Sequence, residues 1–329
     1  MKKKIIALLM AVLMLTSLVA CGGNSGDDAS AGDGEEATTY TIGICQLVQH
    51  VALDAATEGF KDAVVAALGE ENVVFDEQNA AGDSNTCNTI VNGFVSNNVD
   101  LIMANATPAL QAASAATGTI PVLGTSVTEY GVALGIEGFT SLVGTNVSGT
   151  SDLAPLDEQA AMIKEWCPDA KTVGLLYCSA EANSQYQVDT VQTYLEELGY
   201  TCKQYSFTDS NDIQAVTQQC ADESDVIYVP TDNTVASNTG IVDGICRPAG
   251  VPVFAGEEGI CAGCGVATLS ISYYDLGVTT GKMAAQILKG EANVAEMSIA
   301  YAEAFTPKYN AAICADLGLT PPEGYIAIG

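Results

Sequence analysis

One pattern of short apolar strands and amphipathic helices occurs twice in this chain, at the same overall length. Tyr40-Thr41-Ile42-Gly43-Ile44 is echoed by Lys171-Thr172-Val173-Gly174-Leu175-Leu176. Asp100-Leu101-Ile102-Met103 is echoed by Asp225-Val226-Ile227-Tyr228, and Ile120-Pro121-Val122-Leu123-Gly124 by Val251-Pro252-Val253-Phe254-Ala255-Gly256. Gly43 and Pro121 stand 78 positions apart, and Gly174 and Pro252 also stand 78 apart. The third-strand marker moves, from 57 positions after Gly43 to 51 after Gly174, so loops vary inside a constant frame. Three matching strand types in the same order mark two homologous lobes.

Within the first copy, Leu53, Ala56, Phe60, Val64 and Ala67 recur at helical spacing and stop at Gly69. Val73-Val74-Phe75 predicts a second strand, and Ile90, Val91, Phe94 and Val95 predict the next helix. A further helix opens at Pro108. Such alternation defines an α/β class with doubly wound parallel sheets. Two such lobes joined by a hinge bring the carboxyl ends of both sheets to one cleft, where ligands of open α/β sheets bind.

The remainder offers a strand over 267–272, a long helix over 275–289 and a strand over 299–305. It is too short for a third domain and is expected to cross between the lobes near Asn146, Gly265 and Glu296. Lobe one is then 40–146 plus about 266–295, and lobe two 147–265 plus about 296–329.

The amino terminus has a different character. Lys2-Lys3-Lys4 followed by the apolar run Ile5 to Thr16 forms a signal peptide over residues 1–20, too short for a comfortable membrane span. Leu18-Val19-Ala20-Cys21 resembles the lipobox of bacterial lipoproteins, which implies cleavage before Cys21 and lipidation of its sulfur. Two acyl chains anchor stably where one is marginal. Residues 22–39 contain no large apolar residue, and 21–39 is expected to be a lipidated acidic tether. The predicted localisation is the extracytoplasmic face of the cell membrane.

The chain carries 11 Lys+Arg against 40 Asp+Glu, a formal charge of −29. That surface repels phosphate backbones and excludes nucleic-acid binding. It leaves the lipid anchor as the expected route to the membrane, because anionic lipid disfavours the folded surface.

Polar residues cluster at predicted strand ends. Lobe one offers Gln46, His50, Asn105, Thr107 and Ser126, with no arginine or lysine among them. Lobe two offers Ser179, Glu181, Asn183, Thr231, Asp232, Asn233 and Glu257, an acidic wall. Thr107-Pro108 reads as N-cap and first residue of a helix, whose free N–H groups favour a carboxylate. Asp232 and Glu257 face it as partners for a cation. A donor wall opposite an acidic wall suits a zwitterion, namely a free α-amino acid. The only arginine, Arg247, falls late in a helix, so no guanidinium fork for phosphate is predicted in the cleft. The only tryptophan, Trp166, falls on an inter-strand helix and supplies no stacking surface for a sugar. The same residues also suit plain structural roles: Asp232 as a helix cap, Glu257 as a loop charge, His50, Asn105 and Thr107 as turn residues.

An enzyme is poorly supported. One histidine, no G-x-S-x-G, no Walker A loop and no G-x-G-x-x-G leave no catalytic constellation. Cys261 and Cys264 form a lone C-x-x-C without a second pair or nearby histidine, so neither metal nor cofactor is expected. The other cysteines read as small buried hydrophobes.

Several segments in order resemble the substrate-binding lipoproteins of ABC transporters, in particular the tryptophan- and tyrosine-type amino-acid binders with the type I periplasmic-binding-protein fold. They are Gln46-Leu47-Val48-Gln49-His50-Val51-Ala52-Leu53-Asp54, Asn105-Ala106-Thr107-Pro108, Ser179-Ala180-Glu181-Ala182-Asn183-Ser184, Pro230-Thr231-Asp232-Asn233, Gly256-Glu257-Glu258 and Ser272-Tyr273-Tyr274-Asp275-Leu276-Gly277. Val51 stands where the family usually has proline, and the Ile260 to Gly265 stretch is unusual. The resemblance implies a monomeric carrier that delivers an amino acid to an ABC permease and its ATPase, with Tyr274 and Asp275 near the cleft. A ligand-sensing lipoprotein that reports to a membrane receptor would share fold and site. A binder of another small neutral solute, such as a nucleoside or sugar, is the other alternative.

Overall fold

Strand β1 (Tyr40–Gln46) is the first element of the computed structural model, which describes residues 39–302 and 304–328. Helix α1 (Val51–Leu68) follows and buries Leu53, Ala56, Phe60 and Val64, four members of the stripe read from the spacing. It ends at Gly69, whose φ of 90° a side chain would resist. The first lobe continues through β2 (Val73–Asn79), α2 (Ser84–Asn97), β3 (Leu101–Asn105), α3 (Thr107–Ala116), β4 (Val122–Val127), α4 (Tyr130–Leu134) and β5 (Val147–Ser151).

The second lobe repeats the scheme. It runs through α5 (Leu156–Trp166), β6 (Thr172–Cys178), α6 (Ala182–Glu197), β7 (Thr201–Phe207), α7 (Ile213–Glu223) and β8 (Val226–Val229). Then come α8 (Asn233–Ala236), α9 (Thr239–Ala249), β9 (Val253–Ala255), α10 (Glu258–Cys264) and β10 (Ala267–Ser270). The tail holds α11 (Tyr273–Leu288), β11 (Ala300–Tyr301), β12 (Thr306–Tyr309), α12 (Ala311–Leu317) and β13 (Ile326–Ala327).

Sheet one has the order β11-β5-β4-β3-β1-β2, with all of its pairs parallel. Sheet two has the order β13-β12-β10-β9-β8-β6-β7, parallel except for β10 with β12. The fold class is the expected pair of doubly wound α/β lobes.

The expected crossings need correction. β5 lies in sheet one, with Val122 opposite Val147 and Gly124 opposite Gly149, so the first crossing falls after Ser151 rather than near Asn146. β10 pairs with β9 in sheet two, so the second falls at Ile271-Ser272 rather than near Gly265. β11 pairs with β5, so the third falls between β11 and β12 rather than near Glu296. Lobe one is therefore 40–151 plus 273–301, and lobe two 156–270 plus 306–328. The reason lies in pairing. Thr150 is fully buried and its hydroxyl meets those of Thr125 (3.2 Å) and Thr280 (2.9 Å), so small polar residues complete the sheet.

The signal segment 1–20, Cys21 and the tether up to Thr38 lie outside the described residues. Among the described residues, no helix is long and apolar enough to cross a membrane. The ten described cysteines are free thiols, eight of them buried. Burial pushes the Cys178 and Cys220 thiols up to about 12. Trp166 packs edge-on against Phe254 in lobe two.

Candidate functional site

The carboxyl ends of the two sheets meet around a small, narrow cavity of about 10 Å³. Lobe one lines it with His50, Leu53 and Ser126, the first crossing with Asp152, and lobe two with Asn183, Thr231, Asp232, Asn233, Ala236 and Glu257. Tyr273, the first residue after the second crossing, completes the wall. Two contacts join the lobes here: His50 Nε2 to Asn233 Oδ1 at 3.2 Å, and Thr128 Oγ1 to Thr231 Oγ1 at 3.4 Å. Backbone strain concentrates beside it. Ala106 has φ of 91° and Ser126 of 54°, values that side chains rarely accept and that cluster at functional sites.

Asp152, Asp232 and Glu257 are all at least 95% buried, and no Lys or Arg lines the cavity. The five ion pairs among the described residues lie elsewhere. Each carboxylate is held differently. Asp232 caps α8: Oδ1 accepts from Val235 N at 2.9 Å, and Oδ2 from Cys178 N at 2.7 Å. Glu257 caps α10 through the N–H groups of Gly259 and Ile260. Glu181 accepts from the backbone and side chains of Asn233 and Thr234. Asp152 differs: Oδ2 accepts from the Tyr273 hydroxyl at 2.9 Å, and Oδ1 has no partner among the described residues.

Burial pushes Asp152 above the usual carboxylate range, against the pull of the Tyr273 and Thr128 hydroxyls. Burial and neighbouring Glu181 push Asp232 up to about 7, against its two backbone bonds. Burial pushes Glu257 up to about 7 as well. Burial holds the His50 imidazole below its ordinary value, so it is neutral at neutral pH.

These shifts carry a sign for stability. A carboxyl raised on folding stabilises fully below its unfolded value, and that contribution is lost as pH rises through the folded value. For Asp232 and Glu257 the window runs from about 4 to about 7. Thermal melts of ligand-free protein are expected to show a lower midpoint at pH 8 than at pH 5, by several degrees. Replacing both carboxyls with their amides should flatten that slope. An unchanged slope would assign the pH dependence to other groups.

Buried atoms without partners concentrate on this cleft: His50 Nδ1, Asn105 Oδ1, Thr107 Oγ1, Ser126 Oγ, Asp152 Oδ1 and Asn183 Oδ1. A buried unpaired polar group is costly, and such a cluster marks a place prepared for a polar ligand. Asn105 is oriented from behind. Gln46 donates to Asp54 at 2.7 Å and accepts from Thr57 at 2.7 Å, and Thr57 in turn accepts from Asn105 Nδ2 at 3.0 Å.

The sequence-predicted residues therefore divide. His50, Ser126, Asn183, Thr231, Asp232, Asn233 and Glu257 line the cavity. Asn105 and Thr107 stand behind its wall, with Ala106 rather than Thr107 at the N-cap of α3. Gln46 supports Asn105 from outside the cavity, and Glu181 supports Asn233. Ser179 is exposed and bonds Phe207 O. Tyr274 and Asp275 point away from the cleft: Tyr274 is 39% exposed with its hydroxyl on Asp62, and Asp275 is exposed at the start of α11. Adjacent positions on a helix diverge by about 100°, so only one of the two tyrosines can face inward. Asp152 lines the cavity and is missed by sequence reasoning; of the Tyr273-Tyr274 pair, which the sequence reads as hinge packing or ligand contact, it is Tyr273 that lines it.

Two α/β lobes that close over a buried polar cavity, crossed by three chain segments, define a solute-binding protein rather than an enzyme. Residues 41–327 match the ABC transporter substrate binding protein family, and the chain belongs to that family. It is 35% identical over 294 residues to a tyrosine-binding protein of Clostridioides difficile strain R20291, covering 88% of this chain and 85% of the relative. The ABC domain from Streptococcus pneumonia in complex with L-Trp is similar at a TM-score of 0.84 and 32% identity, covering 88% of this chain and 100% of that one. The ligand-free, open structure of a Clostridium difficile substrate-binding protein with adhesive properties is 38% identical, covering 88% and 99%, yet its TM-score is 0.67. The lobes here sit closer to the arrangement in the L-Trp complex than to that open form.

Proposed function

We propose that this protein binds a free α-amino acid with an aromatic side chain between its lobes and delivers it to an ABC permease. The observation that carries this reading is the cavity wall: unpaired acceptors and buried carboxyls without any cationic side chain. The ligand supplies the missing cation as its ammonium. Asp152 takes that ammonium, because its Oδ1 is the one carboxylate oxygen of the cavity left without a bond. The carboxylate turns toward lobe one, where the Ser126 hydroxyl lines the cavity unpaired, on the side of the amino end of α3. A helix amino terminus favours an anion by about 0.3–1 kcal/mol, more when partly buried. The aromatic side chain is supported by similarity to the tyrosine-binding relative and the L-Trp complex.

In this reading Cys21 carries the lipid anchor, the tether gives reach, and ligand shifts an open–closed equilibrium toward the form that docks. Mass spectrometry of the membrane-extracted protein reads the anchor, and an unmodified Cys21 thiol would remove that part.

A thermal-shift screen of soluble, ligand-stripped protein against the twenty amino acids tests the ligand. A true ligand at 100 times its dissociation constant adds about 2.7 kcal/mol of stability. Stabilisation by tyrosine, tryptophan or phenylalanine is the expected result. Stabilisation by a neutral sugar or nucleoside alone would overturn the zwitterion.

A further inference from the structure

His50 is the only histidine in the chain, and its two ring nitrogens sit in different settings. Nε2 lies 3.2 Å from Asn233 Oδ1. Lobe two decides which of them donates. The Glu181 carboxylate accepts from Asn233 Nδ2 at 2.6 Å and from Asn233 N at 3.0 Å. A carboxylate only accepts, so Asn233 turns its NH₂ to Glu181 and its carbonyl oxygen to His50. That oxygen cannot donate, so Nε2 carries the proton. The neutral ring then has a lone pair at Nδ1, which is buried and without a partner among the described residues.

Asn183 supplies a second bare acceptor by the same logic. Its Nδ2 donates to Thr231 O at 2.9 Å, which leaves Oδ1 as an unpaired acceptor. Asp152 Oδ1 is the third. All three residues line one cavity, His50 from lobe one, Asp152 from the first crossing and Asn183 from lobe two.

A primary ammonium has three N–H donors. We infer that His50 Nδ1, Asp152 Oδ1 and Asn183 Oδ1 receive the three N–H bonds of the ligand's ammonium, with Glu181, through Asn233, as the positioning residue that keeps His50 in the accepting tautomer. This rests on the amino-acid reading above and narrows it to primary amines. It also makes one group of the ligand bridge both lobes. With the proton on Nδ1 instead, the ring would aim an N–H at the ammonium and repel it.

A single histidine makes the test unambiguous. Tag-free protein labelled with ¹⁵N in its histidine ring, refolded from denaturant to strip ligand, is observed near neutral pH before and after saturation with L-tyrosine or L-tryptophan. The expected result is the Nε2–H tautomer throughout, with the Nδ1 resonance moving on ligand addition toward its hydrogen-bonded position. An Nδ1–H tautomer, or an Nδ1 resonance unmoved at saturation, overturns the inference. Calorimetry on the same samples separates the two levels. Binding with an unmoved Nδ1 overturns the His50 contact alone, whereas no binding of L-tyrosine, L-tryptophan or L-phenylalanine overturns the aromatic amino-acid reading and the contact with it. The N,N-dimethyl form of whichever amino acid binds keeps its charge but only one N–H. It is expected to bind about 100-fold more weakly or worse, since a hydrogen bond to a charged group is worth roughly one to two decades. Equal affinity would overturn the three-acceptor arrangement. In Glu181→Gln the new amide can donate to Asn233 Oδ1 and release its orientation, so the Nδ1–H tautomer should become populated with about a tenfold loss of affinity. A tautomer unchanged in the folded E181Q protein would remove Glu181 from the positioning role, and the wild-type spectrum still decides the tautomer if that variant does not fold.

Discussion

Asp152→Asn is expected to weaken binding of the aromatic amino acid by about two to four decades while leaving both lobes folded. The substitution keeps the shape and an oxygen for the Tyr273 hydroxyl, and removes only the charge. Breaking a buried ion pair by removing one partner costs about 3–5 kcal/mol, because the other charge stays buried. At about 1.4 kcal/mol per decade, that is the stated loss. Without ligand the effect reverses. Asp152 is 95% buried with no cationic partner in the cavity, so Asp152→Asn should leave the empty protein as stable as wild type or more so. Asp232→Asn is the control with the opposite profile. Both Asp232 oxygens accept backbone N–H groups, so its amide loses one acceptor and costs about 1 kcal/mol of stability, with affinity changed by less than a decade. Calorimetry with L-tyrosine and L-tryptophan, paired with melts of the empty variants, separates these roles. Retained binding in D152N with loss in D232N would move the ammonium to Asp232.

That contrast shows where sequence reasoning stops. The acidic character of the lobe-two wall was legible, because Glu181, Asp232 and Glu257 each follow a recognisable strand. Which oxygen stays free was not, because capping depends on whether a following N–H turns back onto the carboxylate. Asp152 escaped because β5, Val147-Ser148-Gly149-Thr150-Ser151, lacks the β-branched apolar run that marked the other strands. Its burial comes from neighbours on both sides, β4 and β11, and no periodicity within the five residues reports that. The same blindness displaced the crossings. A strand's own pattern says that it is buried, not which sheet receives it, so β10 was given to lobe one and β11 to lobe two. The duplicated frame was secure because it rests on six strands whose apolar runs are continuous. Tyr273 and Tyr274 were inseparable in sequence, since adjacent helical positions differ only in which way the helix is turned.

The turning of α11 also sets the second large effect. Glycine-to-alanine substitutions in three helices are expected to have opposite signs according to what each new methyl meets. A Cβ at Gly277 of α11 would stand 2.0 Å from Ala56 O, and one at Gly59 of α1 would stand 2.1 Å from Tyr274 O. Both obstacles are backbone oxygens, which no rotamer change can move. The two helices must separate, and α11 begins at Tyr273, whose hydroxyl holds Asp152. Alanine is favoured over glycine by about 1 kcal/mol in a helix interior, but overpacking typically costs 1–3 kcal/mol and more where backbone must shift. Gly277→Ala and Gly59→Ala should therefore each lower stability by about 2–3 kcal/mol, and Gly277→Ala should also weaken ligand binding by moving Tyr273. At Gly93, inside α2, a Cβ meets nothing within 4 Å. There the same substitution should raise stability by about 0.5–1 kcal/mol, from helix propensity and a less flexible unfolded chain. Denaturant titrations of the three variants provide the comparison. Equal effects at all three positions would mean that helix propensity alone governs them, and that the close approach of α1 to α11 has no energetic consequence.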